Sequence, residues 1–205
     1  RAKWFIAAKE RHQRQELRQD NADQELLDLA TSVILADALE VKAFRADLDT
    51  YDAMPIEALM ENREILERLY LERQALLDNA YQLEDGTHVF KSEDGKRVID
   101  EAGNSVSSQI VDPDQIPDHH TSAEDWERSV DQINKHEAIE QNLIDYQERL
   151  DAAREQLDEG ELTQDEFDVL KNGIEADMPI EVRRKLPDYD PSQETDLTSD
   201  FTATA

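Results

Sequence analysis

Two adjacent histidines, His119 and His120, stand beside Asp112, Asp114 and Asp118 in the stretch DPDQIPDHH, and imidazole with carboxylate is a donor set for a divalent metal. The spacing argues against such a site, because neighbouring histidines seldom reach one tetrahedral centre and a proline-punctuated acidic loop is a poor cage. Residues 112–121 read instead as a solvated linker. His136 interrupts a helical stripe, where an imidazole could serve as a pH switch. Nothing else marks it as titrating near neutrality, so the favoured reading is a kink or a hydrogen-bonded seam histidine. With 50 acidic side chains, any two carboxylates can be paired on paper as acid and base, and such a pair carries little information. The chain lacks a phosphate-cradling glycine loop, a nucleophile elbow and a His-Glu-x-x-His helix, and it has no cysteine for a thiolate site or a disulfide. It reads as a non-enzyme, with no catalytic residue, cofactor or metal assigned.

The elements around these residues follow from periodicity. From Leu27 the apolar positions Ala30, Ile34, Ala38, Val41 and Leu48 keep helical spacing, widened by Leu26, Leu29, Val33 and Leu35. The stretch DLDTYDAMP then predicts an interruption, followed by a second helix over 56–81 with Leu59, Leu66, Leu69, Tyr70, Leu76, Leu77 and Ala80 toward a partner. Residues 1–82 therefore read as an antiparallel helical hairpin with a basic amphipathic head. Over 83–111 the turn signals Asp85-Gly86, Asp94-Gly95 and Gly103-Asn104 separate Val89-Phe90, Val98-Ile99 and Val106, which predicts a small three-stranded β-meander. So small a sheet needs a helix to lean on. The Asp-Gly pairs lack the paired glycines of calcium-binding nonapeptide repeats, so turn glycines are the better reading.

Residues 122–186 read as a long helix and a short helical hairpin. Ser122 and Asp125 have the spacing of a capping box, and Trp126 opens the apolar stripe. Ile139, Leu143, Tyr146, Leu150, Ala153 and Leu157 alternate by four and three, the seam of a coiled coil. The six-residue step from Ile133 to Ile139 slips the register as a stammer does. The predicted fold class is mainly α: antiparallel helical hairpins and a coiled-coil-like long helix, with a small inserted β-meander.

The end of that helix, LDEGELTQDEFDVLKNGI, looks like the back half of an EF-hand, with Gly160, Leu162 and Glu166 at loop positions, but Leu157 stands where a liganding oxygen belongs. The segment GELTQDEF also resembles the short C-terminal helical-hairpin family known as SHOCT, over about residues 143–173. That resemblance implies an interaction or oligomerisation element without a catalytic role, and the rest of the chain does not share it. The word DAMPIE at 52–57 returns as ADMPIE at 176–181, with proline placed as a first helical residue in both. It reads as one helix-start signal used twice, with Met54 and Met178 as candidates for equivalent apolar notches.

Charge bounds the partners. The formal net charge is −28, charged residues make up 35% of the chain and hydrophobic ones 38%. Residues 1–18 hold six basic and two acidic side chains, a balance of +4, and the remaining 16 basic and 48 acidic ones leave −32. A general nucleic-acid surface is disfavoured, except through residues 1–18, where Trp4 and Phe5 accompany the charge. The bland reading of this head is a helix packed on its own acidic body. No apolar run reaches a membrane span of ~20 residues. The opening RAKWFIAAKERHQRQ lacks a signal peptide's apolar core, although a start on arginine leaves open that this is a fragment of a longer protein. A cytoplasmic setting is the expectation. The acidic, polar segment 187–205 reads as disordered, with Leu197 and Phe201 as docking anchors.

The function expected is an acidic helical scaffold or adaptor, self-associating or assembling with larger bacterial or phage complexes through basic or apolar partner surfaces. Its candidate contact residues are Trp4, Phe5, Ile139, Leu143, Tyr146, Leu150, Leu157, Phe167, Leu197 and Phe201. The rivals are a nucleic-acid mimic and an acidic chaperone for a basic client. A mimic needs its acids on one exposed face, whereas those of 122–160 lie on several sides.

Overall fold

The computed structural model describes residues 2–32 and 34–194, with side chains over 9–26 and 34–194. Five α-helices are present among them: α1 (Ala2–Ser32), α2 (Ala38–Asp78), α3 (Ala123–Glu159), α4 (Gln164–Ala176) and α5 (Ile180–Arg183). Three short strands, β1 (Tyr81–Gln82), β2 (His88–Lys91) and β3 (Val98–Asp100), lie between α2 and α3. The expected mainly α fold with a small antiparallel sheet is what forms. Two compact units divide the chain: one takes Arg1–Asp49 and Leu150–Asp177, the other Thr50–Arg149 and Met178–Ala205.

In the first unit two loops pair. Ala36 N–H donates to Leu162 O at 3.0 Å and Gln164 N–H to Ile34 O at 2.8 Å, an antiparallel bridge between the entrances of α2 and α4. Each entrance is capped. The Asp37 carboxylate accepts from Leu39 N–H at 2.7 Å, and Thr163 and Glu166 form a reciprocal capping box. Behind the bridge Phe44, Leu48, Leu150, Ala153, Leu157, Phe167 and Ile174 are buried, with Phe44 and Phe167 edge to face at 5.6 Å. Arg45 donates to Leu157 O and pairs with Asp158, while Arg154 donates to Leu48 O and pairs with Asp49, so the start of α2 runs antiparallel to the end of α3.

In the second unit the rest of α2 runs antiparallel to the start of α3. Gln147 donates to Asp52 at 3.0 Å, Arg63 to Glu140 at 2.8 Å and Tyr70 to Glu137 at 2.6 Å. The α3 cap forms at the predicted place, with Asp125 N–H donating to Ser122 Oγ at 3.1 Å. The strands make one sheet in the order β1-β2-β3, with Phe90 opposite Ile99. Because successive strand residues face opposite sides, β2 sends Val89 into a cluster with Val98, Val111 and Ile116, and Phe90 into another with Ile99, Ala123 and Trp126. The predicted helical support is the stack of Phe90 on Trp126, with ring centroids at 4.6 Å. The turn glycines Gly86 and Gly95 sit at φ of 88° and 69°, a region glycine enters without a Cβ clash.

Five expectations are corrected. The helix boundary lies before α2, between Ser32 and Ala38, and α2 continues through DLDTYDAMP with Pro55 inside it. An interior proline costs about 3 kcal/mol, but Pro55 lies on the same buried face as Ala58, Leu66 and Leu69. Burial of a leucine returns about 1.5–3 kcal/mol each, so the packed face outweighs the lost bond. DAMPIE is therefore not a shared helix start: Pro55 is mid-helix, whereas Pro179 is the N-cap of α5. The two methionines also differ, Met178 being buried and Met54 half-buried.

The meander begins earlier than expected, at Tyr81, and Val106 is not in a strand: it donates its N–H to Val98 O beside the isolated Ser105–Ile99 bridge and packs on the Val89 cluster. The 112–121 linker is packed. Ile116 and Thr121 are buried, and Thr121 donates to Leu76 O at 2.6 Å. Over its described residues, 187–194, the acidic segment is tied to the chain, with Glu194 accepting from both Arg184 and Tyr189. Leu197 and Phe201 lie outside the described residues.

Candidate interaction surfaces

The predicted seam is a core. Leu143, Tyr146, Leu150, Leu157 and Phe167 are buried within the single chain, so these candidate contact residues offer no open surface, while Ile139 is half-buried. The reason is topological: the antiparallel stretches of α2 supply the second helix that the stripe requires, and no other copy is needed to cover it. Trp4 and Phe5 belong to α1, with side chains outside the described residues.

His136 stands at the register slip. Asn62 Nδ2 donates to His136 O at 2.8 Å, which orients the amide so that its oxygen, 2.7 Å from His136 Nδ1, accepts the imidazole proton. α3 runs through this point as one helix, and His136 is a hydrogen-bonded seam histidine.

The neighbourhood of His119 and His120 is a cleft of about 240 Å³ that includes Lys91, Ser92, Asp118, His120, Thr121 and Ser122. Its polar groups are committed internally. Lys91 donates to Ile116 O and Asp118, Ser92 Oγ to Asp94, and His120 Nδ1 lies 3.0 Å from Asn79 O. The Lys91 bond and charge hold the Asp118 carboxyl below its usual range. Arg97 does the same for Glu127 through a paired hydrogen bond. Among the described residues no group of three or more His, Cys, Asp or Glu could hold a metal ion. Leu157, the EF-hand mismatch, lies in α3 with the first loop positions, because the helix continues to Glu159.

What remains open is the outside of the helices. On α2 the residues Ile56, Met60 and Leu71 are 51%, 63% and 73% exposed, opposite the face of Ala58, Leu66 and Leu69. Glu57, Glu64 and Glu67 lie among them and are exposed. In the first unit Leu39 and Val169 are 77% and 74% exposed. Sequence reading missed this second stripe of α2. The signal was available, since Met60 and Leu71 share a helical face separate from the leucine stripe, but a stripe interleaved with glutamates reads as a solvated face. Along α1 the side chains of residues 9–26 are all exposed. No helix among the described residues is long and apolar enough to cross a membrane. The chain matches no family model, no curated protein and no solved structure.

Proposed function

We propose that the protein is a non-enzymatic, acidic helical scaffold or adaptor whose contacts are made by the outward faces of its helices. The observation that carries this reading is the stripe of Ile56, Met60 and Leu71 on α2, apolar side chains left in water on the side away from the core. Large exposed apolar residues aligned on one helix face are a common mark of a partner surface. The SHOCT-like hairpin at 143–173 supports the same reading, since its second helix exposes Val169 while Phe167 closes the core.

The test is capture from native lysate by the whole chain, with Met60→Glu/Leu71→Glu and Val169→Glu variants alongside and circular dichroism to establish that each is folded. A defined partner set retained by the native chain and lost by either variant supports the adaptor. Equal capture by all three removes these surfaces from consideration. A single basic DNA-binding enzyme released by salt would favour nucleic-acid mimicry instead.

A further inference from the structure

α1 carries its charge in the order that opposes its own stability. Unsatisfied N–H and C=O groups leave a helix positive at its start and negative at its end, so acids are favoured in the first turn and bases in the last. α1 has no acid in the first turn and no base in the last. Its bases cluster in residues 1–18, and Asp20, Asp23, Glu25 and Asp28 follow. Packing does not compensate over 9–26, where every side chain is exposed, Leu17 and Leu26 included. The intrahelical pairs Arg14–Glu10 at 3.8 Å and His12–Glu16 at 3.5 Å are exposed and therefore weak. A helix so arranged is suited to something outside its own unit.

The complementary surface is present in the same chain. Positions 7, 11, 14 and 18 of α1 hold Ala7, Arg11, Arg14 and Arg18, steps of four, three and four along one face. The outward face of α2 repeats those steps with Met60, Glu64, Glu67 and Leu71, all exposed. Laid side by side in either direction, the two central arginines meet the two central glutamates, while positions 7 and 18, Ala7 and Arg18, fall opposite Met60 and Leu71.

We infer that α1 of one copy docks along the Met60–Leu71 face of α2 in a second copy. This rests on the adaptor reading and names its partner as the protein itself. Head and seat are different surfaces, so the contact is heterologous and builds a ring or an open chain. A polyanion such as DNA would match the arginines, but it would meet repulsion from the net charge of −32 on the rest of the chain.

Light scattering of the purified full chain over a concentration series tests this at about 0.05 M and about 0.5 M salt, where screening lengths differ severalfold. The native chain should associate at low salt and dissociate at high salt. Arg11→Glu/Arg14→Glu and Glu64→Arg/Glu67→Arg should each weaken association about tenfold or more. Mixing the two variants should restore it, because the reversed head meets a reversed seat. A native chain that stays monomeric, association untouched by either variant, or loss without rescue on mixing would each overturn the inference. So would a DNA duplex bound by the native chain and not by Arg11→Glu/Arg14→Glu. Monomeric behaviour with partner capture intact leaves the adaptor reading standing, whereas loss of both removes it.

Discussion

Lys91 and Asp118 show how one ion pair ties a loop to the sheet. The Lys91 side chain is largely enclosed and donates to Ile116 O as well as to the carboxylate. Asp118 is thereby held below its unfolded range, so its contribution to stability is complete above the unfolded value near 3.8 and is lost as pH falls through the lower folded value. Replacing Asp118 with Asn should lower the urea midpoint at neutral pH and flatten its decline between about pH 5 and about pH 3. An unchanged acid slope would show that other carboxylates, such as Glu127 on Arg97, carry that region. At this scale the sequence was partly legible. Ser122 and the turn glycines announce their local roles, because a cap or a positive φ depends on neighbours three or four residues away. The partners of His136 and Lys91 could not be read, because Asn62 and Ile116 reach them through the tertiary fold.

α3 gathers its apolar residues on one stripe, and that stripe is consumed inside the chain. Leu150 is fully enclosed in the first unit. A carboxylate there would be buried without a cation, so Leu150→Asp should cost more than about 4 kcal/mol, combining lost burial with an unpaired charge. The checks are far-UV circular dichroism and urea unfolding, where a helix content and midpoint equal to the native chain's would contradict the packing of this seam. The four-three alternation of Leu143, Tyr146, Leu150 and Leu157 predicted the seam correctly as a seam. Its partner was not legible, since periodicity gives the angle of an apolar stripe and not the identity of the helix that covers it. Pro55 misled for a related reason: a local breaker is judged locally, while the burial that overrides it comes from residues far along the chain.

Across the whole molecule, the net charge of −28 opposes compaction by self-repulsion. The exposed pairs, among them Arg63–Glu140 and Arg97–Glu127, are individually weak. Added salt should therefore raise the thermal midpoint by a few degrees between about 0.02 M and about 0.3 M, since screening relieves repulsion more than it weakens these pairs. A falling midpoint would show that ion pairs dominate. The measurement separates from the self-association test when run at a protein concentration where scattering shows a single species.

By itself the sequence determined the classes of structure that could form. Its charge, its lack of cysteine, its helical stripes and its Asp-Gly turns set a mainly α chain with a three-stranded meander, because each signal acts over a few residues. Only the tertiary structure decided which apolar stripes face inward. Leu143 and Leu150 were claimed by α2, while Ile56, Met60 and Leu71 were left in water. Burial is a property of what lies opposite, and no window of the sequence contains both sides.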